Sequence, residues 1–280
     1  MKYLIVGNKG QLGREFEKYF ASKSFEFEGF DIDEIDISDI KQLNDYIVTS
    51  KPGIIINCSA YNQVDLAEES PQIAFATNDI GVRNLATISK KTGAFLVHYS
   101  TDYVFDGTKE NGLYTETDTP NPLGQYAKSK YQGEISLKKE TDNYLLFRLS
   151  WVFGDGQQNF IHKFLQWTKT KDYLKVACDE VSVPTSTKTI VEVTLKSIEQ
   201  GIGGLFHLTN SGYCSRYEWG KNICKIMDLD KVLYPVSKDI FNLPAKRPGF
   251  SAMSNKKIAE LLGIEIPCWE YAVKDFLKKL

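Results

Sequence analysis

Tyr3-Leu4-Ile5-Val6-Gly7-Asn8-Lys9-Gly10-Gln11-Leu12-Gly13 is the stretch whose reading decides the fold. Tyr3 to Val6 are apolar and read as a short buried strand. Gly7, Gly10 and Gly13 then stand at G-x-x-G-x-x-G spacing, ahead of a helical stripe of Leu12, Phe16, Tyr19 and Phe20. Gly7 permits the tight turn, Gly10 lets backbone N–H groups approach a pyrophosphate, and Gly13 lets the helix pack close to the strand. The helix N-terminus adds partial positive charge for the phosphates. A glycine pattern this regular, in a strand–turn–helix frame, favours a dinucleotide loop over an ordinary βα turn.

Downstream, strands and helices alternate. A second strand over residues 25–30 ends at Asp31, roughly twenty positions past the loop, where an acid grips a ribose 2′-hydroxyl. Asp31 therefore tilts the expected cofactor toward NADH over NADPH. Asp33, Glu34 and Asp36 would repel a 2′-phosphate, against Arg14 and Lys9. A helix over 38–50 is expected to start at Ser38 as N-cap. The β-branched run Ile54-Ile55-Ile56-Asn57 reads as a strand buried on both faces, ending in Cys58-Ser59-Ala60-Tyr61, small residues against which a cofactor can lie. Ser70-Pro71 opens the next helix in cap-then-N1 order. Its stripe runs through Ala74, Ala76, Ile80, Leu85, Ala86 and Ile88 to Gly93, before a strand over 94–99. The pattern is that of an α/β doubly wound parallel sheet of Rossmann type, with ligands at the strand C-terminal ends. Residues 1–150 are expected to form the dinucleotide-binding domain, with roughly 178–210 returning to it. Residues 151–280 are expected to form mainly a smaller substrate lobe, in which Ser215-Arg216-Tyr217-Glu218 reads as a capping box.

Composition narrows the function classes. At 280 residues, 42% apolar and 25% charged, the chain is long enough for a sizeable core, and it is not compositionally disordered. A net charge of −2 argues against broad nucleic-acid binding. No apolar run approaches ~18 residues, so no membrane partner is expected. The N-terminus enters a strand directly, without a signal-peptide h-region, and a cytoplasmic location is expected. Cys58, Cys178, Cys214, Cys224 and Cys268 are odd in number, lack C-x-x-C spacing, and fit unpaired thiols in a reducing compartment. With three scattered histidines, no metal site is read from the sequence.

The chemistry is expected at Ser100-Thr101-Asp102-Tyr103-Val104-Phe105-Asp106-Gly107, which follows the strand at 94–99, together with Tyr126-Ala127-Lys128-Ser129-Lys130. Tyr126 and Lys130 are four apart and share a helix face. A strand-end hydroxyl facing such a pair can move a proton onto a carbonyl. Y-x-x-x-K alone is weak: Tyr19/Lys23, Tyr217/Lys221 and Tyr234/Lys238 match it too. Only Tyr126 follows a strand ending in Ser-Thr. Strand alternation should send Ser100 and Thr101 to opposite faces, so that one alone serves.

These residues together resemble the extended short-chain dehydrogenases/reductases, and within them the dTDP-4-dehydrorhamnose reductases. The likeness takes in the Gly loop with Gln11-Leu12-Gly13, Asp36-Ile37, Asn57 to Tyr61, Val64-Asp65, Ser100 to Gly107, Tyr126/Lys130, Arg148 to Gly154, Asn159-Phe160, Pro184-Thr185 and Arg247-Pro248. Val6, Asn57-Cys58-Ser59, Asn62-Gln63 and Gly249-Phe250 depart from the usual pattern. The resemblance implies NAD(P)H-dependent reduction of the C4 ketone of a nucleotide-activated 6-deoxy sugar, most readily dTDP-4-dehydro-L-rhamnose, for polysaccharide precursors. Alternatives are a reductase or epimerase on a GDP- or UDP-sugar, or a non-catalytic NADP(H)-binding regulatory subunit similar to that of methionine adenosyltransferase.

The resemblance implies Tyr126 as proton donor, with Lys130 lowering its pKa toward neutrality and bonding the nicotinamide ribose, and Thr101 donating to the carbonyl oxygen. Gly7, Gly10, Gln11, Leu12, Gly13, Asp31, Asp36, Ile37, Cys58, Ser59, Ala60, Tyr126 and Lys130 would hold the cofactor. On the substrate side stand Asp102, Tyr103, Trp151, Asn159 and Arg247: an aromatic to stack, an Arg to pair with the diphosphate. Core packing is the plainer reading of Trp151, and helix N-capping that of Asn159. Some relatives carry Mg2+ between the subunits of a homodimer; no acidic cluster here is singled out for it.

Overall fold

The computed structural model describes residues 1–280. The first half runs β1 (Tyr3–Val6), α1 (Gln11–Lys23), β2 (Phe27–Phe30), α2 (Ile40–Ser50), β3 (Ile54–Asn57), α3 (Leu66–Glu69), α4 (Pro71–Phe75), a π-helical turn (Ala76–Gly81), α5 (Val82–Thr92), β4 (Phe95–Thr101), α6 (Gln125–Glu140) and β5 (Tyr144–Leu149). The second half runs β6 (Val152–Phe153), α7 (Phe160–Thr170), β7 (Tyr173–Ala177), β8 (Val181–Ser182), β9 (Thr185–Ser186), α8 (Thr187–Glu199), β10 (Gly204–His207), β11 (Cys214–Ser215), α9 (Arg216–Ile226), β12 (Val232–Val236), α10 (Lys256–Leu262) and α11 (Trp269–Leu277).

Six strands form one sheet in the order β10-β5-β4-β3-β1-β2, every neighbouring pair parallel. Parallel pairing demands crossovers, and the helices between strands supply them on both faces. The alternation of side chains splits β1 cleanly. Tyr3 and Ile5 join a core with Phe16 and Phe20 of α1, Ile190 of α8 and Ile258 of α10. Leu4 and Val6 join a core on the opposite face with Leu43 of α2, Leu85 of α5 and Leu137 of α6. This is the doubly wound α/β sheet expected from the strand–helix alternation. A third core, built on Trp151, Phe153, Phe164, Trp219 and Trp269, sits off the sheet among α7, α9 and α11.

Several boundaries move for local reasons. Strand β2 starts at Phe27, because Ser24 closes α1 in a left-handed conformation and the Phe25 ring is drawn onto Tyr3 and Phe20. Asp39, not Ser38, caps α2, accepting from the N–H groups of Lys41 and Gln42. Pro71 does open a helix at N1, but the Ser70 side chain makes no cap bond. The helix continues through a π-helical turn, where Gly133 of α6 comes so close that a Cβ on it would lie 2.0 Å from the Asn78 carbonyl oxygen. Strand β4 extends past Tyr99 to Thr101, paired throughout with β5. Ser215 and Glu218 form the capping box of α9 in full.

Helix α6 is pinned to the sheet by a buried ion pair. Arg148 of β5 donates to both carboxylate oxygens of Glu134, at 2.9 and 2.8 Å. Both side chains are sealed from solvent, and the fork geometry satisfies the carboxylate on two sides.

Candidate active site

A crevice of about 860 Å3 opens at the C-terminal ends of β1, β3, β4 and β5. Its floor is the Gly loop: Gly10, Gln11 and Leu12 line it, facing Cys58, Ser59 and Ala60 at the end of β3. Gly7 has φ +78°, and a Cβ there would sit 2.7 Å from the Ser59 nitrogen. A Cβ on Gly13 would sit 2.3 Å from the Gly7 carbonyl oxygen. Both glycines are therefore required by close backbone approach, although neither lines the crevice. No side chain caps the N-terminus of α1, so its first N–H groups are free to meet an anion. A floor of glycine and small residues beneath an uncapped helix end fits a dinucleotide.

Other expected cofactor residues stand further off. The Asp31 carboxylate accepts from the Lys9 and Ile32 N–H groups, at 2.9 and 2.8 Å. The Lys9 ammonium bridges Asp33 and Glu34, so the acidic turn carries its own counter-charge. Asp36 is exposed and accepts from the Ser38 N–H, while Ile37 is buried against Gly81. Neither lines the crevice: Asp36 turns the chain and Ile37 packs it.

At the crevice wall, Thr101, Tyr126 and Lys130 come together, as helical spacing and the end of β4 bring them. The Thr101 hydroxyl stands near enough to the Tyr126 phenol to pull its pKa down. Ser100 is also among the residues that line the crevice, but its Oγ is buried without a partner, whereas the Thr101 hydroxyl is bonded within the turn at Asp102.

The electrostatics correct one expectation. Lys130 does not draw the Tyr126 phenol toward neutrality. Burial pushes Tyr126 up to about 12, with Thr101 pulling back and Asp102 pushing further. The buried Lys130 ammonium donates instead to the Tyr99 carbonyl at 2.6 Å. Burial brings Lys130 down to about 8, against the support of Glu134 one turn on. Cys58, also in the crevice, has its thiol pushed up by burial and is no ready nucleophile.

The expected substrate residues divide. Trp151 serves packing and crevice at once. Its ring stacks on Trp219 at 5.7 Å, the Arg216 guanidinium lies 3.6 Å above it, and its indole N–H is buried without an acceptor. Its φ of +40° is a left-handed conformation uncommon for a bulky residue. Asn159 is the N-cap of α7, accepting from His162 N–H. Its amide donates to the Gly154 and Gly156 carbonyls and to Gln11, bracing the Gly loop. Tyr103 donates to Glu180 at 3.0 Å, its ring edge-on to Tyr126. Arg247 forks onto Asp65 at 3.0 and 2.8 Å. Asp102 is buried beneath three hydroxyls, from Thr101, Ser182 and Ser251.

A second cavity of about 1370 Å3 adjoins the crevice, and Lys163 and Arg247 line both. Seven Lys or Arg line it against three Asp or Glu, with Phe160, Trp167, Tyr173 and Phe241 among them. That is a lining for an anion with a flat ring attached. Sequence reading did not single out Arg216, Glu180 or Lys163 for it. Arg216 was visible only as the first residue after a helix cap. No group of three or more His, Cys, Asp or Glu side chains is placed to hold a metal ion. No helix is long and apolar enough to cross a membrane.

Comparison with known proteins places this geometry. The family model described as the RmlD substrate binding domain matches residues 1–280. A dTDP-4-dehydrorhamnose reductase of Burkholderia thailandensis is 32% identical over 291 residues, covering 98% of this chain and 97% of that protein. A crystal structure of a dTDP-4-dehydrorhamnose reductase from Clostridium acetobutylicum superposes with a TM-score of 0.96 at 38% identity, over 100% of this chain and 99% of that one. Another, from Bacillus anthracis in complex with NADP, gives 0.95 at 32% identity, again over 100% and 99%.

Proposed function

The chain belongs to the dTDP-4-dehydrorhamnose reductase family, and from that premise we propose that Thr101, Tyr126 and Lys130 perform in it the NAD(P)H-dependent reduction of the C4 ketone of a nucleotide-activated 6-deoxy sugar. Its best substrate on this reading is dTDP-4-dehydro-L-rhamnose, giving dTDP-L-rhamnose for polysaccharide precursors. The observation that carries the assignment is the meeting of the Tyr126 and Thr101 hydroxyls and the Lys130 ammonium in one crevice, with a cation-rich cavity opening from it at Arg247.

Bound over the Gly loop, the dinucleotide supplies the hydride. The chain's own residues do the rest. Gln11 and Leu12, at the uncapped start of α1, offer backbone N–H groups to the pyrophosphate, and Gly10 keeps the approach clear of a side chain. Tyr126, kept protonated by burial, delivers its phenolic proton to the ketone oxygen. Lys130, fixed by Tyr99, bonds the ribose and holds positive charge beside the phenol as it loses its proton. Arg247 and Lys163 stand at the junction of the two cavities for the diphosphate. Trp151, stiffened by Trp219 and Arg216, forms crevice wall against the sugar.

The same reading assigns residues 1–150, with 178–210 returning, to the dinucleotide, and most of 151–280 to the sugar nucleotide. Five unpaired cysteines fit a reducing cytoplasm. NADP is what the Bacillus anthracis relative binds. In this chain the Asp31 turn favours NADH, and comparison of kcat/KM for the two cofactors tests it: a large NADPH preference refutes the Asp31 argument. The activity itself is tested by oxidation of either cofactor with dTDP-4-dehydro-L-rhamnose. No turnover with any 4-keto sugar nucleotide would sink it.

A further inference from the structure

A threonine hydroxyl has one proton and two lone pairs. At Thr101 most of these are spoken for within its own turn. The Tyr103 N–H donates to Oγ1 at 3.2 Å, and Oγ1 donates to Asp102 Oδ1 at 3.2 Å. One lone pair remains. So arranged, Thr101 has no proton to give a ligand oxygen. The other carboxylate oxygen of Asp102, Oδ2, accepts from Ser182 at 2.7 Å and from Ser251 at 2.5 Å. Oδ2 is filled by donors, so a proton joining this carboxyl goes to Oδ1.

We propose that Asp102 is a positioning residue whose Oδ1 sets the direction of the Thr101 hydroxyl, and so withholds or frees that hydroxyl as a donor to the ketone oxygen. The inference rests on the ketone-reductase reading and deepens it. With Oδ1 bare, Thr101 donates to Asp102 and offers no proton to the ketone oxygen. With Oδ1 protonated, the carboxyl donates to Thr101, and the Thr101 proton is free to meet the ketone oxygen beside Tyr126. Asp102 keeps its own proton throughout; the one that leaves for the ketone oxygen is Tyr126's.

The surroundings put this choice within reach of ordinary pH. Asp102 is 2% exposed. Burial raises its carboxyl to about 6, held there by the bonds from Ser251, Ser182 and Thr101 and by the charge of Arg216. The charged and titratable groups facing it are Arg216 from α9, Tyr126 from α6 and Tyr103 from its own turn. Glu180 and Arg247 stand behind Tyr103. Ser182 and Ser251 lie 80 and 149 residues downstream of Asp102, so this carboxyl is set by chain that the sheet does not contain.

The test is the pH dependence of kcat for ketone reduction by the full chain, with wild type, Asp102→Asn and Ser251→Ala side by side. Wild-type turnover is expected to fall as pH rises through an inflection near the value of about 6 that the carboxyl carries. In Asp102→Asn the amide oxygen takes the two serines and the amide N–H donates permanently to Thr101, so the inflection disappears. Ser251→Ala removes one donor from the ionised form and moves the inflection up by about one pH unit. An inflection unmoved in both variants, or absent from wild type, overturns the proposal. Should Asp102→Asn not fold, the shift in Ser251→Ala decides alone. A wild-type enzyme that turns over no 4-keto sugar nucleotide defeats the reductase reading instead, so the two failures are told apart.

Discussion

The ammonium of Lys130 and the backbone carbonyl of Tyr99 are 2.6 Å apart. That bond ties α6 to β4 two residues before Thr101, and it fixes where the lysine's charge is held. It also explains why the phenol beside it stays high. A donor spent on a carbonyl does less for a neighbouring phenolate, and burial then wins.

Tyr126→Phe removes the proton and keeps the ring. Turnover is expected to fall by at least about a hundredfold, with the dinucleotide Kd nearly unchanged. Steady-state kinetics and a fluorescence titration of the cofactor check both halves. Near-normal kcat would remove Tyr126 from the role of acid.

Lys130 gives a pH dependence whose sign follows from its depressed value. The side chain is charged below about 8 and neutral above it. Dinucleotide Kd is therefore expected to rise as pH passes from about 7 to about 9, as the charge-assisted bond to the ribose weakens. Lys130→Met should bind weakly at every pH in that range. A wild-type Kd that is flat across it contradicts the assignment.

Glu134→Ala leaves Arg148 buried without its partner. Breaking such a pair by removing one side costs about 3–5 kcal/mol. Urea unfolding of the apo protein measures it. A loss under about 1 kcal/mol would mean that water reaches the guanidinium.

Arg247→Ala takes away one of the two cations shared by the cavities. The KM for the sugar nucleotide is expected to rise roughly ten- to a hundredfold, as loss of a charge-assisted contact would give, while cofactor Kd stays put. An unchanged KM would leave Arg247 as no more than a clamp on Asp65.

What could be read from the sequence was what neighbours in the chain decide. The Ile54–Asn57 run read as a strand buried on both faces and is one, and of the three spaced glycines Gly7 and Gly13 serve close backbone approach. Tyr126 and Lys130 share a helix face whatever the rest of the chain does. The unread parts depend on distant residues. The π-helical turn answers to Gly133, half a hundred positions away. The direction of the Tyr126 shift depends on burial that no local pattern carries. Asp102, read as a residue on the substrate side, acquires its environment from Ser182 and Ser251. Trp151 owes its posture to Trp219 and Arg216.

Lys163 and Arg247 belong to the walls of both cavities. A molecule long enough to reach from one chamber to the other is thus tethered at two points. Whichever end docks first confines the other to a small volume, raising its effective concentration to about the millimolar range for a short flexible link. Fragments bearing one end alone should each hold loosely, and the joined molecule should bind more tightly than either by a wide margin.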